Sequence, residues 1–176
     1  DVSFAVSNET LADRLLTIRW RVLDTDFHEY AKGKLPVQCG ALSAVKLPAL
    51  SFAKALNGDL DHRYLTYELV DENGAVLCKK AVLFEKPKHF AWKKPEISAV
   101  FSEKDGKTAI TLSSDTFAKG VCLSFGNADV VLSDNYFDLT DDGSITVTVE
   151  KIIAGNADIT SLQNSLQICS VYDIAK

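Results

Sequence analysis

The chain has 176 residues, of which 47% are hydrophobic and 24% charged, so it can bury a core and is neither disordered, collagen-like nor a coiled coil. Its 24 acidic residues outnumber its 19 lysines and arginines, and the net charge of −5 argues against binding to nucleic-acid phosphates. Because no stretch approaches the roughly 20 apolar residues that cross a bilayer, we predict neither a nucleic-acid nor a membrane partner.

Alternation of apolar and polar residues predicts β-structure in the first half. In the run 15–23 every second residue is apolar: Leu16, Ile18, Trp20 and Val22. This pattern is typical of an antiparallel strand with one face on the core and the other in water. We predict strands at 2–6, 15–23, 35–47, 63–70 and 75–84, and a helical turn at 50–56. Asn73-Gly74 predicts a type I′ hairpin turn between the last two strands.

The second half has the same character. We predict strands at 96–102, 107–113, 120–125, 128–132, 136–139, 144–150 and 166–172, and a helical turn at 158–162. Three more pairs suit tight turns: Asn57-Gly58, Asp105-Gly106 and Asp142-Gly143. Many short strands separated by turn residues indicate β-sandwiches.

The clearest boundary lies at residues 85–95, where alternation stops and Pro87 and Pro95 occur among basic residues. Proline removes a ladder donor, so we predict an extended connector here. The predicted fold class is therefore all-β, with two tandem immunoglobulin-like antiparallel β-sandwiches. The first spans 1–86, a linker spans 87–95, and the second spans 96–176.

The chain contains no methionine and begins at Asp1 inside an alternating run, so we expect it to be a piece of a longer polypeptide. Its four cysteines, Cys39, Cys78, Cys122 and Cys169, form no C-x-x-C motif. Free thiols buried on strands are the favoured interpretation, and pairing within each half stays open.

No arrangement of residues predicts catalysis. The acidic residues lie mostly in turns or on the polar side of strands, and His28, His62 and His89 lie in polar segments without a G-x-S-x-G elbow. We expect solvated histidines, no catalytic residue, no metal and no cofactor. Five residues within 134–142 offer oxygen ligands for calcium, but shaping of turns accounts for the same residues: Asp134, Asn135, Asp138, Asp141 and Asp142. Asn8-Glu9-Thr10 fits a glycosylation acceptor.

One segment, 133–139, places two adjacent aromatic residues beside turn-forming polar residues. Aromatic rings flanked by Asp and Asn suit a sugar, whose C–H face stacks on a ring while its hydroxyls form hydrogen bonds. The candidate substrate-binding residues are Trp92, Asp134, Asn135 and Tyr136. The alternative is that Phe137 fills the core while Asp134 and Asn135 shape a turn.

Several motifs resemble the C-terminal region of β-mannosidases of glycoside hydrolase family two. At the junction they are PKHF at 87–90 and PEI at 95–97, and in the second half they are LSSDTFAK at 112–119, LSF at 123–125 and SDNYFDL at 133–139. In the first half they are RWRVLD at 19–24 and YELVD at 67–71.

The resemblance implies two immunoglobulin-like domains that follow a (β/α)₈ barrel. In that family the acid/base and nucleophile glutamates lie on the barrel, so no catalytic residue is carried over to this chain. The parent enzyme is expected to remove terminal β-mannose with retention, through a glycosyl-enzyme intermediate. The expected partners are the catalytic barrel of the same polypeptide, which the chain supports at its substrate entrance, and mannose-containing glycans.

Two other functions stay open: a carbohydrate-binding module and an adhesin-type interaction domain. The sequence does not specify a compartment. For a bacterial parent that degrades glycans, the periplasm or the cell exterior is the expectation.

Overall fold

The computed structural model describes residues 1–141 and 143–175. The chain forms two compact units: unit 1 comprises Asp1–Asp24 and His28–Ala91, and unit 2 comprises Thr25–Phe27 and Trp92–Lys176. Every pair of adjacent strands described in either unit is antiparallel. The predicted all-β class is confirmed.

Unit 1 has a four-stranded sheet in the order β3-β2-β5-β6 and a two-stranded sheet of β1 and β4. The strands are β1 (Ala5–Asn8), β2 (Arg14–Asp24), β3 (Glu29–Cys39), β4 (Ser43–Lys46), β5 (Arg63–Asp71) and β6 (Val76–Leu83). A short helix, α1 (Ala53–Leu56), precedes β5. One core joins both sheets, because Val6 of β1 packs in the same cluster as Leu16 of β2 and Leu65 of β5.

Unit 2 has a four-stranded sheet in the order β10-β12-β8-β7 and a three-stranded sheet in the order β11-β9-β13. The strands are β7 (Ile97–Lys104), β8 (Lys107–Ser114), β9 (Ala118–Phe125), β10 (Ala128–Leu132), β11 (Phe137–Leu139), β12 (Ile145–Gly155) and β13 (Leu166–Cys169). Two short helices are α2 (Ile159–Ser165) and α3 (Val171–Ile174). Its core includes Ile110 of β8 and Val147 of β12 from one sheet, and Val121 of β9 from the other. None of the described helices is long and apolar enough to cross a membrane.

The predicted inward face of β2 is confirmed. Leu16, Ile18 and Val22 are buried, and Trp20 packs on the same core. The indole of Trp20 needs Gly33, its partner on β3, because a Cβ at that position would lie 2.4 Å from the ring. Trp20 also makes an edge-to-face contact with Phe52, with ring centroids 5.1 Å apart.

Two predictions for unit 1 are wrong. The single strand predicted at 35–47 is divided, since β3 ends at Cys39 and a turn with Leu42 at φ 49° leads into β4. Residues 29–34 belong to β3, but β3 is an edge strand whose residues there are exposed or half-buried, so apolar alternation gave no signal.

The turn predictions have mixed outcomes. Asp105 and Gly106 both have positive φ and join β7 to β8, as a type I′ turn requires. In the turn after β5, however, only Gly74 has positive φ and its amide donates to the carbonyl of Asp71. That is a type I turn with a bulge at Gly74, so the type I′ prediction there is wrong.

Two segments of the second half also differ from prediction. The strand predicted at 166–172 ends at Cys169, because Ser170 and Asp173 form a capping box that starts α3. The predicted connector is extended only in part, since Pro87–His89 form a 3₁₀ turn. Proline suits the first position of such a turn because its φ is already helical.

Candidate functional site

The segment 133–139 is organised around the side chain of Asn135. Its Oδ1 accepts from the amide of Leu123 at 2.9 Å, and its Nδ2 donates to the carbonyl of Leu123 at 3.0 Å. The side-chain amide of Asn135 therefore pairs with the backbone of β9 at a position that β11, which begins at Phe137, does not reach. Phe137 is buried in the core, as the alternative interpretation of this segment predicts.

The other two polar candidates in this segment are exposed. The carboxylate of Asp134 accepts a hydrogen bond from the amide of Asn135 at 2.8 Å. Tyr136 is 67% exposed and has φ 64°, a conformation that few residues other than glycine adopt. The Cys122 thiol lies beside its phenol and raises the pKa of Tyr136.

Trp92 lies elsewhere in unit 2. Its ring stacks on Phe117, with centroids 5.7 Å apart. Phe117 directly precedes β9, whereas Asn135 bonds to Leu123 towards the other end of that strand. The structure thus brings Asp134, Asn135 and Tyr136 together and leaves Trp92 apart. Whether any of the four binds sugar stays a prediction.

A groove of about 380 Å³ adjoins Asn135 between β9 and β10. Its lining combines apolar side chains with carboxylate, hydroxyl and amide groups, contributed by Leu123, Ser124, Phe125, Ala128, Asp129, Val130, Leu132 and Asn135. The sequence did not predict this groove, because it forms between strands of two different sheets.

The oxygen donors weighed for calcium serve other groups. Asp138 is buried, accepts from the amide of Gly120 at 2.8 Å and pairs with Lys119 at 3.1 Å. The carboxylate of Asp141 accepts from the amide of Gly143. Asp142 lies outside the described residues. Shaping of turns and backbone therefore accounts for the described members of this set.

Asn8 ties two loops of unit 1 together. It is buried, and its Nδ2 donates to the carbonyls of Ala12, Cys39 and Gly40 at 2.9, 3.2 and 2.9 Å. Its Oδ1 accepts from Thr10. Asn8 is therefore not accessible as a glycosylation acceptor, in contrast to the sequence pattern.

These two loops present apolar side chains to solvent. Leu11 is 86% exposed and Leu42 is 67% exposed, and the amide of Leu42 donates to the carbonyl of Thr10. Leu42 is held at φ 49°, which costs a residue with a Cβ about 1 kcal/mol or more. Two exposed leucines on loops that Asn8 holds together are a candidate contact surface, and sequence reasoning missed it.

A polar network lies where β2 ends and β5 begins. Asp24 Oδ2 accepts from the Tyr30 hydroxyl at 3.0 Å and lies 3.1 Å from His28 Nδ1. Arg63 covers the Tyr30 ring at 3.6 Å and pairs with Asp59 at 3.2 Å. The register, with Asp24 opposite Arg63, brings these distant residues together. The hydrogen bond to Asp24 raises the pKa of Tyr30.

His62 extends this network. Its Nδ1 lies 2.9 Å from Asp59 and 3.0 Å from Asp61, and the hydrogen bond to Asp61 raises the pKa of the imidazole. The predicted solvation of the histidines is confirmed, since His28, His62 and His89 are all exposed. Asp59, Asp61 and His62 lie close enough to share a cation, but ordinary hydrogen bonding accounts for their arrangement.

Comparison with known proteins gives two family matches. Residues 1–89 match the model of the mannosidase Ig/CBM-like domain, and residues 92–174 match an Ig-fold domain model named for mannosidases. No curated protein matches the chain by sequence.

Solved structures share the fold. A β-D-mannosidase from Dictyoglomus thermophilum aligns with 92% of this chain at 15% identity and a TM-score of 0.67. An exo-chitosanase from Amycolatopsis orientalis aligns with 96% at 15% identity and a TM-score of 0.62. This chain spans only 19% and 24% of the lengths of those two proteins.

The pairing of Asn135 with β9 predicts a structural role that can be measured. In Asn135→Ala the amide and carbonyl of Leu123 lose their partner, which costs about 1–3 kcal/mol. We expect the Leu123 amide to exchange its hydrogen at least about tenfold faster, as followed by NMR. Asp129→Ala, at an exposed position of the neighbouring strand β10, is the control and should leave this exchange unchanged. Equal protection of Leu123 in both variants would contradict the assignment.

Proposed function

This chain belongs to the mannosidase Ig/CBM-like domain family through residues 1–89 and to an Ig-fold domain family of mannosidases through residues 92–174, and we propose that it is the non-catalytic accessory part of a β-mannosidase. The hydrolysis of terminal β-mannosyl residues takes place on a catalytic barrel of the same polypeptide. The two domains stabilise that barrel and its substrate entrance.

The observation that carries this proposal is the order of the two matched families, which together account for nearly all of the chain. Support also comes from the solved structures, in which the same pair of folds occupies about a fifth to a quarter of a longer protein. The division of the chain near residues 87–95 into two domains is part of the same proposal.

The contact with the barrel is made by the leucine loops of unit 1, Leu11 and Leu42. Both leucine side chains are largely exposed, and covering apolar surface by a partner lowers the free energy of the system. Because Asn8 holds both loops from inside, the pair is already ordered before it docks. Preordered contacts lose less conformational entropy on association.

The first prediction from this proposal concerns activity. The purified 176-residue chain should fold and yet show no hydrolysis of an aryl β-mannoside, because the two glutamates of the reaction belong to the barrel. The longer polypeptide that contains the chain should release the aryl group under the same conditions. Measurable turnover by the purified chain would overturn the proposal.

The second prediction tests the leucine contact by two effects of opposite sign. Asparagine tolerates positive φ, so Leu42→Asn should leave the isolated chain as stable as the wild type or up to about 1 kcal/mol more stable. In the longer polypeptide the same substitution should lower the melting temperature, because a buried contact is lost. Leu60→Asn, at a leucine that is 40% exposed, is the matched control and should change neither by much. A Leu42→Asn effect of the same sign in both proteins would contradict the docking role.

A second candidate function, a carbohydrate-binding module in unit 2, is favoured by the groove beside Asn135. Asp134 and Tyr136 lie on either side of Asn135 in the same loop, and both are exposed. They offer a carboxylate and an aromatic face. Sugar hydroxyls pair with such carboxylates, and C–H faces stack on such rings. Trp92, stacked on Phe117, offers a separate aromatic contact.

Titration with manno-oligosaccharides, followed by amide shifts, tests this candidate. We expect the amides of Phe125, Asn135 and Tyr136 to shift at millimolar sugar, and Tyr136→Ala to weaken the response. Cello-oligosaccharides serve as the control for sugar identity. If no amide moves at millimolar manno-oligosaccharide, the module has to be rejected.

A further inference from the structure

We propose that Cys122 and Cys169 are a redox pair that closes into a reversible cross-strand disulfide. In the register of β9 and β13 these two cysteines are direct partners. Nothing in the established family membership assigns them a role, and the inference does not depend on the proposed glycosidase function.

Both thiols lie on the outer face of the three-stranded sheet. On β9, Val121 and Leu123 point into the core, so Cys122 between them points outward and is half-buried. On β13, Ile168 packs on the core and Cys169 is exposed. Side chains that stand opposite each other in an antiparallel pair share a face, so the two thiols are neighbours.

The backbone register places the two Cα atoms within the range of a disulfide. The backbone amide and carbonyl of Leu123 are hydrogen-bonded to the Asn135 side chain on the β11 side of β9. Because successive residues of a strand direct these groups to opposite sides, the backbone amide and carbonyl of Cys122 face β13. Partners of that hydrogen-bonded kind have Cα atoms about 5.5 Å apart, within the usual range of about 4.4–6.8 Å for disulfides. In hydrogen-bonded pairs the Cβ atoms lie about 5.5 Å apart, beyond the range of about 3.5–4.5 Å usual in a disulfide, so the bond forms only if the two strands shift locally. The bond is therefore strained and easily reduced.

The other two cysteines lack this arrangement. Cys39 is 1% exposed and lies in the core of unit 1. Cys78 is exposed on β6, but its partner across the strand pair is Leu69. The expectation that all four thiols are buried therefore holds for Cys39 alone, and Cys78 supplies an internal control with comparable access to solvent.

The step balances with a disulfide such as oxidised glutathione as the oxidant. The Cys169 thiolate, the more exposed of the two, attacks one glutathione sulfur, and the glutathione S–S bond breaks to release one glutathione thiolate. The Cys122 thiolate then attacks the Cys169 sulfur of the mixed disulfide and releases the second glutathione. Two protein thiols are oxidised by two electrons, one glutathione disulfide is reduced to two thiols, and the two protons pass to the released thiolates.

Peptide mapping of the 176-residue chain tests the proposal. After incubation with excess oxidised glutathione and blocking of free thiols, trypsin cleavage after Lys119 and Lys151 separates the two cysteines into peptides 120–151 and 152–176. We expect these peptides to be joined, with a mass two hydrogens below their sum, and to separate within minutes in excess reduced glutathione. Cys78 should carry a free thiol or a mixed disulfide.

Variants sharpen the result. Cys78→Ser should keep the link, whereas Cys122→Ser and Cys169→Ser should lose it and accumulate glutathione on the remaining cysteine. Mixed disulfides on both Cys122 and Cys169 with no joined peptide would overturn the proposal, as would a link found only between two molecules on a non-reducing gel. If a serine variant fails to fold, the wild type and Cys78→Ser decide the question alone.

Discussion

The central strands of both units bury one face and expose the other, and the remaining structure depends on this division. In β2 the buried face carries Leu16, Ile18 and Val22, and in β9 it carries Val121 and Leu123. Burial of each such side chain contributes about 1.5–3 kcal/mol, whereas a slip of one residue would turn the whole set towards water. The register that results also decides which side chains meet on the outer faces, among them Cys122 and Cys169.

Two asparagines complete the backbone pairing where the strands stop. Asn8 holds the loops that present Leu11 and Leu42, and Asn135 continues the edge of β9 before β11 begins. A buried or half-buried backbone group without a hydrogen-bond partner raises the free energy of the folded state. The side-chain amides of the two asparagines supply the partners that a neighbouring strand would otherwise provide. The loops around them are thereby ordered, which allows residues in unusual conformations, Leu42 and Tyr136, to persist on the surface.

The family membership and these surfaces give a consistent account. The resemblance to the Ig-like domains of family-two β-mannosidases, drawn from short motifs, is confirmed by the matches of both family models. In unit 1, Asp24, Tyr30, Arg63 and Asp59 are joined in a network of hydrogen bonds, an ion pair and a cation–π contact. Two other surfaces are candidates for binding a partner. The leucine loops of unit 1 support the accessory proposal, and the groove of unit 2 supports the sugar-binding proposal.

Alternation and turn chemistry act between near neighbours, so the sequence predicted the β-class, the inward face of β2 and the tight turn at Asp105-Gly106. It also contained the capping box at Ser170 and the glycine that Trp20 requires, although neither was recognised. The extent of β3, the role of Asn135, the network around Arg63 and the pairing of Cys122 with Cys169 could not be predicted and follow from the folded structure. Each of those depends on which strands pair and in what register, and that choice is made by burial of the two cores as a whole rather than by any local pattern.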